Sequence, residues 1–115
     1  MMSEKRSKKV IVVYCLEDRL NISRINCLKK CLLPFTEPSE IHLILDLSRV
    51  CFMDCAVVGF LLSLNQQLRN KGSLLSLANL NGFVELLIDT LKIERFIPII
   101  KKNQCKNIEI WMKRK

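Results

Sequence analysis

The stretch Ile41–Gly72, IHLILDLSRVCFMDCAVVGFLLSLNQQLRNKG, decides the fold. Its first seven residues, Ile41 to Leu47, are almost all apolar, as in a strand buried on at least one face. Ser48-Arg49 interrupts the run, and Val50-Cys51-Phe52-Met53 leads to Asp54. From Cys55 the period changes. Val57, Phe60/Leu61, Leu64 and Leu68 recur at helical spacing, with Asn65, Gln66, Arg69 and Asn70 between them. Lys71-Gly72 supplies a cationic last turn and a residue that tolerates a left-handed exit. The spacing therefore predicts a strand, a tight turn and a helix, with Asp54 at the N-cap. Such a turn points backbone N–H groups and the next side chain outward, which makes it a display site.

Outward from this unit, Val10–Leu16 reads as a strand, closed by Glu17-Asp18-Arg19. Asn21 or Ser23 can cap a helix whose buried stripe is Ile22, Ile25, Leu28 and Leu32. Leu74–Leu80 is a third strand, and Phe83, Leu86/Leu87 and Leu91 mark a third helix. Phe96–Ile100 is a short edge strand, where Pro98 is tolerated. Residues 103–112 fit a strand (Ile108, Ile110) or a helix (Cys105, Ile108, Met112) equally well. The expected fold class is α/β: a single domain with a mixed, largely parallel sheet and helices mainly on one face, the other partly wet. Strands are expected near 10–16, 41–47, 74–80 and 96–100, and helices near 22–33, 55–70 and 82–92.

The chain has 115 residues and a formal charge of +8, and the location of that charge matters. Val10–Ile100 holds nine Lys/Arg and nine Asp/Glu, so the whole excess lies in residues 1–9 and 101–115. These segments read as a basic N-terminal tail and a basic C-terminal extension flanking a neutral domain at 10–100. Direct nucleic-acid binding is not expected, and membrane contact only through the tails. Met1–Lys9 lacks the apolar core of a signal peptide, and no apolar run reaches the roughly 18 residues of a membrane span. With six cysteines mostly in apolar segments, the expectation is a cytoplasmic protein with reduced thiols.

Catalytic patterns are missing: no Gly-rich phosphate loop, no G-x-S-x-G, no paired histidines. His42, the single histidine, sits in a strand with no nucleophile near it in sequence and reads as structural. Cys27-x3-Cys31 and Cys51-x3-Cys55 would hold zinc only if four sulfurs converged, which their placement on helix, strand end and turn does not favour. No metal, cofactor or enzyme activity is expected. Asp54 serves as a cap, contributing about 1 kcal/mol, and can also carry charge on the displayed turn.

LILDLSRVCFMDCAVVGFLLSLNQQLRNKGSLLSLANL, residues 43–80, resembles the STAS-domain family, in particular its anti-sigma-factor antagonists. The pattern there is a buried strand, a D-S-[ST]-G-L-G turn, an amphipathic helix ending in Gly, and a further strand. The likeness runs from about Val10 to Ile100. In the antagonists, the Ser after the Asp is phosphorylated by a partner that is both kinase and anti-sigma factor. The unphosphorylated form binds that partner and frees the sigma factor. By position, Asp54 matches the motif Asp, Cys55 the phospho-acceptor Ser, Ala56 the second hydroxyl residue and Gly59 the last Gly. Val57 and Val58 replace Gly and Leu, and Asp18 and Asn21 stand where the family often has Gly and Asp. The resemblance implies an anti-sigma-factor antagonist with Cys55 at the phospho-acceptor position. Its partner would be a GHKL-type kinase-like anti-sigma factor, met through Asp54, Cys55, Ala56, Val57, Gly59, Asp18 and Asn21. The alternative implied by other members is an accessory subunit of a membrane lipid-transport ABC complex.

Overall fold

The computed structural model describes residues 9–100 and the backbone of strand 109–113. The basic segment 1–8 and most of 101–115 lie outside the described residues. A five-stranded sheet has the order β6-β5-β3-β1-β7, with β1 at Lys9–Cys15, β3 at Ile41–Asp46, β5 at Leu74–Ala78, β6 at Ile99–Ile100 and β7 at Glu109–Lys113. Among the described residues every ladder is parallel, with registers such as Val13↔Leu45↔Leu77↔Ile99. The helices are α1 (Ile25–Leu32), α2 (Cys55–Arg69) and α3 (Gly82–Thr90). This is the expected α/β domain.

Alternation along the strands sorts the side chains into two faces. Ile11, Val13, Ile41, Leu43, Leu45, Leu75 and Leu77 form one face with Leu28 and Leu32 of α1, Leu61, Leu64 and Leu68 of α2, and Val84 and Ile88 of α3. Among the described residues all three helices pack on this face. The opposite face carries a smaller cluster of Val12, Ile44 and Ala78, flanked by Val10, Tyr14 and Ile100. Val12 and Ile44 are buried, so this face is drier at its centre than the sequence suggested. On it His42 Nε2 lies 2.7 Å from Ser76 Oγ, and buried Asp46 accepts from Asn79 Nδ2 at 2.6 Å.

The differences from expectation have local causes. The 96–100 strand shrinks to Ile99–Ile100 because Ile93–Arg95 forms a 3-10 turn, closed by Phe96 N–H on the Ile93 carbonyl at 2.8 Å. The first helix opens as a 3-10 turn at Ile22–Arg24, which leaves Ile22 67% exposed instead of on the buried stripe. The stripe of α3 is rotated: Val84 and Ile88 are buried, while Phe83, Leu86 and Leu91 face outward. Asn65, which falls between the stripe positions of α2, is buried and donates to the Phe96 carbonyl at 3.3 Å. Of the stretch left open at 103–112, Glu109 onward is strand, pairing with β1; residues 103–108 lie outside the described residues. The helix exit runs as expected, with Gly72 at φ 75° and Ser73 N–H returning to the Leu68 carbonyl at 2.8 Å.

Cys15 ends β1 inside the core, and burial pushes its thiol above the ordinary value of 9.0. Because the folded pKa is raised, the stability from the neutral thiol is complete below pH 9 and is lost as pH climbs through the folded value. Two results are expected. Iodoacetamide labelling with peptide mass spectrometry should modify Cys15 far more slowly than exposed Cys51. A Cys15→Val variant should lose less stability than the parent between pH 8 and pH 10 (roughly the window set by an ordinary thiol) in urea titrations. Equal labelling rates would contradict the placement of Cys15.

Candidate functional site

Parallel neighbours send their following loops to the same edge of the sheet, and here three such loops meet. The loop after β1 forms a two-residue strand, β2 (Arg19–Leu20), which pairs in parallel with β4 (Phe52–Met53) from the loop after β3. The Asp18 carbonyl accepts from Cys51 N–H at 2.7 Å and Phe52 N–H at 3.2 Å, and Asp54 N–H donates to the Leu20 carbonyl at 3.1 Å. The loop after β5 joins them. Asn79, at φ 58°, is held to Asp46, and Asn81 Nδ2 donates to the Ser48 carbonyl at 2.9 Å.

Asp54 is the junction. Its Oδ1 accepts from Val57 N–H at 3.1 Å, which makes it the N-cap of α2. Its Oδ2 accepts from Ile22 N–H at 3.0 Å, across 32 residues of sequence. One carboxylate thus caps the central helix and pins the loop after β1. Asn21 shapes that loop by accepting from Ser23 N–H at 3.1 Å and Ser23 Oγ at 2.6 Å.

Cys55 is the first residue of α2 and is exposed. Its N–H and that of Ala56, as at any helix start, have no intrahelical acceptor. Gly59, one turn on, is also exposed, and a Cβ built there meets no atom within 4 Å. Among the described residues nothing requires a glycine at that position. Ala56 is half-buried, but Val57 is 0% exposed and belongs to the core, so it supports the turn from beneath and offers a partner no side chain. The structure therefore brings Asp18, Asn21, Asp54, Cys55, Ala56 and Gly59 to one surface and removes Val57 from it.

Sequence reasoning missed the aromatic part of this surface. Phe52 stacks on Phe83 at the start of α3, with centroids 5.4 Å apart and planes 11° from parallel. The Arg19 guanidinium lies 5.4 Å from the Phe52 centroid. Ile22, whose N–H is held by Asp54, and Leu86, three residues beyond Phe83 on α3, are exposed apolar side chains. The available signal was the position of Phe83 beside Val84 and Ile88, which form the other possible stripe of α3.

Among the described residues no three His, Cys, Asp or Glu side chains gather as metal ligands, and the described cysteines are free. Cys27 and Cys31 are on α1, apart from Cys51 and Cys55 at the turn. No helix among the described residues is long and apolar enough to cross a membrane. His42 stays on the sheet face opposite the helices, bonded to Ser76.

The described residues form a small α/β domain that displays a capped helix start between two loops. The STAS domain family model matches residues 3–104, and the chain belongs to that family. No curated protein matches it in sequence. Among solved structures it is similar to a "putative anti-sigma factor antagonist" from Thermotoga maritima, at 20% identity over 79% of each chain with a TM-score of 0.64. That likeness concerns the fold.

Proposed function

We propose that this STAS domain is a non-enzymatic anti-sigma-factor antagonist that works in the cytoplasm by protein binding within a partner-switching pathway. Its partner is a kinase-like anti-sigma factor of the GHKL ATPase type, and Cys55 occupies the position of the phospho-acceptor serine. The observation that carries this reading is the convergence on Asp54: the one carboxylate joins the motif turn to the Asp18–Asn21 loop, with Cys55 exposed beside it. The docking surface also takes in Phe52, Phe83 and Arg19, an aromatic and cationic ledge of the kind that anchors interfaces. The fold similarity to the Thermotoga protein, described as a "putative anti-sigma factor antagonist", supports the same reading.

Gly59 provides the test. A glycine in a helix interior costs about 0.5–1 kcal/mol relative to alanine, and here no neighbour opposes a methyl group. Gly59→Ala should therefore raise stability in urea titrations by about that amount. It should also weaken capture of the ATPase by the immobilised chain, because a partner approaching α2 closely would meet the new Cβ. Stabilisation with undiminished capture would move the interface off this face of α2. Recovery of a membrane ABC complex in place of a soluble ATPase would replace the reading by the lipid-transport alternative.

A further inference from the structure

The sheet ends differently at its two edges. β6 has two residues, whereas β7, Glu109–Lys113, has five and pairs only with β1 among the described residues. Its outer edge is therefore a row of backbone N–H and C=O groups that a further strand can take up. The register sets Ile110 beside Val12 and Met112 beside Tyr14, positions on the sheet face opposite the helices. Glu109, Trp111 and Lys113 fall beside Ile11, Val13 and Cys15, positions on the helix face.

The sequence of this strand, EIWMK, is its own complement in one direction only. Laid antiparallel about a two-fold axis at Trp111, Glu109 of each copy stands opposite Lys113 of the other, and Ile110 opposite Met112. Laid parallel in register, Glu109 meets Glu109 and Lys113 meets Lys113. Opposite charges directly across a strand pair stabilise it and like charges destabilise it, so the charge pattern selects the antiparallel arrangement. The centring on Trp111 also pairs the whole strand. Sliding it by two residues breaks both Glu–Lys pairs.

We propose that the outer edge of β7 is a self-association surface, on which a second copy of this chain adds its own β7 antiparallel to make one continuous sheet. The contact is isologous, so it closes at two copies. It continues the apolar cluster of Val12, Ile44 and Ala78 through the positions of Ile110 and Met112 into the second copy. Only five residues a side meet in this ladder, fewer than a standard interface needs, so the dimer is weak and depends on concentration. The inference stands apart from the function proposed above. The loops that carry Asp54 follow the C-terminal ends of their strands, and antiparallel joining sends the two Cys55 turns to opposite ends of the joined sheet.

The test is sedimentation velocity of the full chain from micromolar to millimolar concentration, with hydrogen exchange at the two ends of that range. The mass should rise from 13.4 kDa toward twice that value. The β7 amides should exchange more slowly at the high concentration, while the Ile22 amide at the Asp54 junction exchanges at the same rate. Lys113→Glu sets like charges opposite at both ends of the ladder and should weaken association about tenfold or more. Glu109→Lys combined with Lys113→Glu restores two opposite pairs and should return association to the parent value. Should either variant not fold, the concentration dependence of β7 exchange in the parent chain decides. A chain that stays monomeric, β7 exchange indifferent to concentration, a dimer untouched by Lys113→Glu, or a folded double variant that does not recover would each overturn the proposal.

Discussion

Cys55→Ser is expected to turn a chain that accepts no phosphate from the kinase-like partner proposed for it into one that accepts one per molecule. Cys55 begins α2, exposed and next to Asp54, and neither it nor Ala56 carries a hydroxyl. A serine there adds the missing oxygen at almost the same volume, and the Asp54 cap is untouched because it uses Val57 N–H. Phosphorylation would then place a charge of about −1.5 to −2 beside the Asp54 carboxylate, in the middle of the proposed docking surface. Repulsion and desolvation should dissociate the complex, so the variant binds before ATP is added and releases afterwards. The parent chain should stay bound throughout, locked in the binding-competent form.

The other serines named below do not offer the same position. Ser73 and Ser76 are buried, and Ser63 lies eight residues further along α2, about 12 Å by helical rise. Ser23 is closer, but its Oγ already donates to Asn21. Mass spectrometry after incubation with the ATPase and ATP, with native gels for the complex, reads both outcomes. Phosphate on the parent chain, at Ser23 or elsewhere, would contradict the locked state. So would a Cys55→Ser variant that binds the ATPase yet stays unmodified.

The central strand-turn-helix was legible because its two periods are unambiguous. A seven-residue apolar run cannot be a surface helix, and Val57, Leu61, Leu64 and Leu68 fit only a 3.6-residue repeat. The Asp54 cap followed from the same pattern. What escaped was everything set by contacts between loops. In α3, Phe83/Leu86/Leu91 and Val84/Leu87/Ile88 are both acceptable stripes at nearly the same hydrophobicity. The choice between them comes from the loop after β5, whose Asn79 and Asn81 bonds orient the helix start. The β2–β4 ladder has two residues per strand, below the length at which alternation carries a signal. The burial of Asn65 rests on a carbonyl 31 residues away. The motif residues were therefore identifiable in sequence, while the aromatic ledge beside them exists only after three loops converge.

Asp54 is the position where one substitution separates two roles. Asp54→Ala removes the cap of α2, worth about 1 kcal/mol, and the bond to Ile22 N–H, worth about 0.5–1.5 kcal/mol. The expected loss is about 2 kcal/mol in urea or thermal unfolding, together with loss of partner binding. That result alone would not distinguish a docking residue from a structural one, and Asp54→Lys shares the difficulty. Asp54→Asn does distinguish them. Asparagine is as good a cap as aspartate, so its oxygen can keep Val57 N–H. Its amide nitrogen then faces the Ile22 N–H, donor against donor, and the loop after β1 loses its anchor. The variant should retain most of the helix stability while the Ile22 amide exchanges faster with deuterium, because its acceptor is gone. If docking needs the two loops held together by a charged carboxylate, Asp54→Asn should lose at least about tenfold in affinity by calorimetry despite its nearly intact fold. Full affinity alongside a freed Ile22 amide would show that the partner reads Cys55 and Gly59 on α2 without the Asp18–Asn21 loop, and the docking surface would contract to the helix.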